Sequence, residues 1–227
     1  MIKQLVLTTA ILFSLLSVAQ NPIETVVSDF DTIKAYDLVT VNLVKSPENK
    51  IIISGRDAQD VEYVQKNGIL KIRMRAERIF DGTETFVYIY YKELAVIDAN
   101  EGSLILSNEL LEQDRLEIRV QEGATVKAGL KVKNLDVRAV TGGIVQLSGQ
   151  VEDQIIVVNT GGIVENARLT TDYTKVNVQA GGEVAVYATQ RVDISVRAGG
   201  DVMVYGNPLK VRKKTLFGGR IEIVDKD

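Results

Sequence analysis

The side chains that most often carry catalysis are missing from this chain: its 227 residues include no His, no Cys and no Trp. A Ser-His-Asp triad, a thiol nucleophile, an ordinary zinc site and a His-ligated haem are thereby excluded. Carboxylates, Lys, Tyr and oxygen-bound cations remain. Glu183 and Asp201 are the first candidates, because each stands two residues after a glycine, in AGGEV and AGGDV, and Arg220 takes the same place in FGGRI. Carboxylates on neighbouring coils of a repeat would sit about 5 Å apart, a separation compatible with an acid and nucleophile pair or with a cation. The competing reading is a solvated column in which Arg220 neutralises its neighbour. It is preferred, since a working pair also needs a cleft and shifted pKa values.

Tyr187 and Tyr205 hold equivalent positions 18 residues apart, so they are expected to stack on one outer face. Such rings either stiffen the stack or offer a platform to sugar rings and protein partners. Tyr88 and Tyr90 share a strand face and would extend that surface, while Tyr91 points the other way. Lys210, Arg212, Lys213 and Lys214 crowd into LKVRKK. On a terminal coil they would discourage end-to-end pairing of free strand edges; the functional alternative is a local dock for anionic glycan or lipid headgroups. Asp29 with Asp31 and Asp57 with Asp60 lack the spacing of a calcium loop, and no glycine pair leads into a helix that would cradle phosphate. No metal, no cofactor and no catalytic residue is therefore assigned. The net charge of −3 argues against nucleic acid as a partner.

What positions these residues is a repeat. Glycine-containing turns recur as QEGATV, TGGIV, TGGIV, AGGEV, AGGDV and FGGRI, with first glycines Gly123, Gly142, Gly161, Gly181, Gly199 and Gly218 at intervals of 19, 19, 20, 18 and 19 residues. Internal periods near 20 residues point to a solenoid, each repeat forming one coil. Within a coil the apolar period is two, as in Leu116, Ile118, Val120 before a corner and Val145, Leu147 after one, so each coil reads strand, corner, strand, loop. The 31 Val and 21 Ile support an all-β fold. Glycine suits the corners because a sharp bend needs positive φ or a close backbone approach. Coils stacked in parallel about 4.8 Å apart would build a rod on the order of 30 Å long. An antiparallel sandwich is the competing layout, but it would leave the recurring corner sequence unexplained.

The first half is β without a clear repeat, with strands expected at 40–44, 50–54, 69–74, 85–91 and 93–98 and a tight turn at Asn67-Gly68. No linker separates it from the repeats, so one domain over 30–227 is expected, with irregular coils at 30–98 and regular ones at 99–227. A discrete N-terminal β subdomain is the alternative. The ordered set FDTIKAYDLVTVNLV, GILKIRM, VYIYYKELAVIDANEGSL and AGGDVMVYGNP, over roughly residues 30–208, resembles the bacterial putative auto-transporter adhesin head GIN domain family, exported proteins mostly of Bacteroidota. The resemblance implies a right-handed parallel β-helix and no assigned enzymatic activity or functional residues. Two departures stand out: another coil follows Pro208, and the corners read TGG or AGG where relatives often alternate Gly with Ser or Ala. Self-export would require a C-terminal membrane barrel of alternating strands, and the mature chain is expected to be passenger alone.

Residues 1–19 read as a signal peptide, with Lys3, an apolar run from Leu5 to Leu16, and Ser17-Val18-Ala19 before the cut; residues 20–29 lead into the fold. The run is short for a membrane span. The expectation is thus an exported, non-catalytic, adhesin-like binding protein of the bacterial envelope, in the periplasm or on the cell surface, whose partner is a cell-surface glycan or envelope protein. A polysaccharide lyase or hydrolase using Glu183 and Asp201, or a purely structural envelope element, are the rival readings.

Overall fold

The computed structural model describes residues 21–224; the leader expected at 1–19 lies outside them. Eight short strands come first: β1 (Ile23–Val26), β2 (Thr32–Ala35), β3 (Thr40–Lys45), β4 (Lys50–Gly55), β5 (Val61–Lys66), β6 (Ile69–Met74), β7 (Thr85–Tyr91) and β8 (Val96–Ala99). Five long ones follow, β9 (Leu104–Val120), β10 (Thr125–Val140), β11 (Ile144–Asn159), β12 (Ile163–Val178) and β13 (Glu183–Ala198). After them come β14 (Asp201–Tyr205), β15 (Lys210–Phe217) and β16 (Arg220–Ile223).

All neighbours from β9 onward pair in parallel, with Thr125 opposite Ile144, Ile144 opposite Ile163, Ile163 opposite Glu183 and Glu183 opposite Asp201. The chain is a β-solenoid of about 7 turns with coils about 19 residues apart. The glycine bends do not join antiparallel neighbours, which removes the sandwich alternative. Because each coil repeats the register of the last, like residues fall into columns. Val126, Val145, Val164, Val184 and Val202 form one, each no more than 1% exposed. Ile118, Val137, Ile156, Val176 and Ile194 form a second, also buried. Each such aliphatic side chain contributes about 1.5–3 kcal/mol relative to an exposed one, so the fold is held along its length rather than at one centre.

The coils of β10 to β13 differ from the expected strand, corner, strand, loop in having no loop, each being extended for 16 residues from one glycine corner to the next, whereas in the last coil residues 206–209 separate β14 from β15 as expected. The bend is made inside the ladder, where the inward-outward alternation changes phase. Two outward residues then stand in succession, as at Lys133-Asn134, Glu152-Asp153 and Asp172-Tyr173, and pairing resumes beyond them.

The N-terminal part joins the same stack out of sequence order. β2 lies between β6 and β8, and β3 between β7 and β9, all in parallel; β8 continues onto the second half of β9. Antiparallel strands β4 and β5 cover β7 and β6, and β1 adds to β4. Asn67 and Gly68, with φ of 52° and 76°, turn β5 into β6 as the dipeptide suggests. Four of the five expected strands are found close to where they were placed, and the fifth begins at Val96 instead of Glu93. Strands β1, β2 and β5 carry too little periodicity to be read from sequence.

Candidate binding surfaces

Outward side chains on stacked strands also form columns. Tyr187 is in register with Tyr205, and Glu183 with Asp201, which is in register with Arg220. Both tyrosines are half-buried. The Tyr187 ring lies over Gly206, where a Cβ would come within 2.8 Å of ring carbons, and the Tyr205 hydroxyl is 3.9 Å from the Met203 sulfur. Arg220 Nε stands 3.4 Å from Asp201 Oδ1 with both side chains well exposed. Glu183 and Asp201 are neighbours on an open face, one of them already ion-paired.

The basic segment divides. Lys210, Arg212 and Lys214 take outward positions, whereas Lys213 takes the inward position in register with Ile194. Among the described residues β15 pairs only with β13, and all eight of its residues are exposed. At the opposite end Tyr88 is exposed and Tyr91 is buried in the core. Burial, aided by Glu109, pushes the Tyr91 hydroxyl up to about 12. Lys50 Nζ sits 4.7 Å from the centroid of the Tyr90 ring.

Two polar recesses escaped the sequence reading. One, of about 290 Å³, is lined by Lys34, Tyr36, Asp98 and Arg119 among others. Most of its charges are paired: the buried Asp98 accepts from Lys34 Nζ at 2.8 Å and Asn100 Nδ2 at 3.0 Å, and Glu117 accepts from Arg119 Nε at 2.6 Å and Nη2 at 2.9 Å. The Glu117 carboxylate raises the Arg119 pKa. The other, of about 420 Å³, follows the bend through β10, β11, β12 and β13. Asn134, Asp153, Tyr173 and Arg191 cross it as one register column. Their intervals of 19, 20 and 18 residues repeat those of the glycines, a signal that a search for polar and aromatic residues at the repeat period would have found. Among the described residues no group of three or more carboxylates is placed to hold a metal ion, and no helix is long and apolar enough to cross a membrane.

Over residues 29–208 the sequence matches the model of a family described as putative auto-transporter adhesin, head GIN domain. The chain belongs to this family. The head GIN domain match ends at Pro208, so β15 and most of the last coil lie beyond it. Solved structures similar to this head GIN protein include a putative adhesin from Bacteroides fragilis, at 19% identity, with 89% of this chain and 96% of that chain covered and a TM-score of 0.82. A putative adhesin from Parabacteroides distasonis is similar at 18% identity, covering 91% and 98%, with a TM-score of 0.74. A putative lipid binding protein from the same species, at 19% identity, covers 91% and 98% with a TM-score of 0.67. At such identities the likeness shows a shared fold. No curated protein matches the chain.

Proposed function

We propose that this head GIN domain protein is an exported, non-catalytic binding protein of the bacterial envelope, which presents the outer faces of a rigid β-solenoid to a cell-surface glycan or envelope protein. The observation that carries this reading is the register itself: outward residues recur at one strand spacing over the length of the stack, as in Tyr187 opposite Tyr205, which suits repeated contact with an extended partner. The family and its adhesin-named neighbours support it. Glu183 and Asp201 stand on an exposed face with Asp201 paired to Arg220, an arrangement that favours binding over turnover.

The purified protein is expected to bind a glycan array or to retain an envelope protein in a pulldown, without releasing reducing ends from polysaccharides. Replacing Tyr187→Ala together with Tyr205→Ala should weaken attachment to isolated envelope material while leaving the thermal transition in place. Blank results from array and pulldown alike would contradict the binding role, and turnover abolished by Glu183→Gln would establish the enzymatic one.

A further inference from the structure

The recess at the bend has the chemistry of a sugar site, and we propose that it binds a neutral pyranose. This inference rests on the binding role above and names its place and ligand class. Tyr173 stands at the centre of the register column, half exposed despite a strand on either side, with Ile155 beside it also exposed. An aromatic face flanked by an aliphatic one accepts the C–H face of a sugar ring. Hydroxyl partners flank it at one strand spacing, about 4.8 Å: Asp153 on the coil before, Arg191 on the coil after. Asp193 holds the Arg191 guanidinium through Nε at 3.0 Å and through Nη2, fixing its plane. That pairing keeps the Asp193 carboxyl below its ordinary range. Lys175 lines the same recess. Two carboxylates and two cations balance, so the recess selects hydroxyls and not a net anion.

The strand beneath the recess carries one more polar group. Gln154 is 2% exposed, lines the recess, and has no hydrogen-bond partner for Oε1 or Nε2. It takes an inward position between Leu135 and Thr174. Thr174 does not serve it, being bonded to Thr171. Apart from Thr174, the column is filled by Leu116, Leu135 and Val192, so an aliphatic residue would pack at this position. A buried amide left unpaired works against folding, and this one faces the solenoid interior, on the other side of the strand from Asp153 and Tyr173. The volume of about 420 Å³ falls in the range of small-ligand sites.

The test is a glycan array carrying neutral and acidic oligosaccharides, probed with the full protein, followed by calorimetric titration of a soluble neutral hit. Wild type should bind neutral pyranose glycans with little dependence on salt. Tyr173→Ala should weaken the titrated affinity by about tenfold or more with an unchanged melting temperature. Gln154→Leu, which changes an interior side chain, should raise the melting temperature and leave the titrated affinity as in wild type. Lys66→Ala, an exposed change on β5 remote from the recess, should titrate as wild type. A blank array, binding that survives Tyr173→Ala, sugar binding lost only in the Tyr187 and Tyr205 variant, or binding confined to sulfated or uronate glycans and abolished by salt would each overturn the proposal. A blank array beside a captured envelope protein would do so while leaving the binding role intact; blanks in both would remove both.

Discussion

At the corner after β11, Gly161 and Gly162 are adjacent, and a methyl group would meet different obstacles at each. Gly161 has φ of 75° and open space where a Cβ would point. The preceding Thr160 adopts φ of 52° as an L-residue, so the conformation is strained for alanine but attainable, at about 1–2 kcal/mol. At Gly162 a Cβ would lie 2.2 Å from the Ala139 carbonyl oxygen of the neighbouring coil, which no rotamer relieves. Gly162→Ala is therefore expected to lower stability by several kcal/mol, clearly more than Gly161→Ala, in paired denaturant titrations; equal losses would mean that backbone conformation alone explains the corner. The regular spacing made the first glycines legible. Their distinct duties were not, because the second glycine's constraint comes from a coil 23 residues away in sequence. The earliest corner was illegible for the converse reason: Leu38 stands there with φ of 63° and no glycine marks it. It is held by Asp37, whose buried carboxylate accepts the amides of Met74 at 3.1 Å and Phe80 at 3.3 Å.

Among the elements, the long strands were readable because one face is aliphatic and the period is two. The Asn67-Gly68 hairpin was readable because turn chemistry is local. The seating of β8 on β2, with β6 and β7 on the far side, was not, since nothing local reveals that a later layer lies outside an earlier one. Likewise Tyr187 and Tyr205 were found by equal spacing in regular strand, while Tyr173 and Arg191 were hidden at a bend where alternation changes phase. The last coil carries an element-scale prediction. Lys213 lies in register with Ile194 at an inward position, beside the exposed Val211, Leu216 and Phe217, and an inward charge on an edge strand opposes further pairing. Lys213→Val should therefore produce concentration-dependent association in sedimentation velocity. A variant as monodisperse as wild type would show that the lysine does not guard this end.

For the molecule as a whole, everything turns on the parallel stack. From Tyr88 the register passes through Asn42, Leu106, Lys127, Gln146, Glu165 and Ala185 to Met203. Along that column the N-terminal layers and the regular coils share one axis, although the strands enter out of chain order. The binding surfaces inherit their geometry from it: a recess built from four coils exists only if those coils are neighbours in this register. Ligand identity was beyond the sequence for that reason, whereas the repeat itself was plain. The lack of cysteine makes the stack directly measurable. Spin labels on Tyr88→Cys and Met203→Cys, read by double electron-electron resonance, should give one distance near 34 Å, seven strand spacings of about 4.8 Å. A short distance below about 20 Å, or no defined distance, would contradict the stacked arrangement and every surface assigned to it.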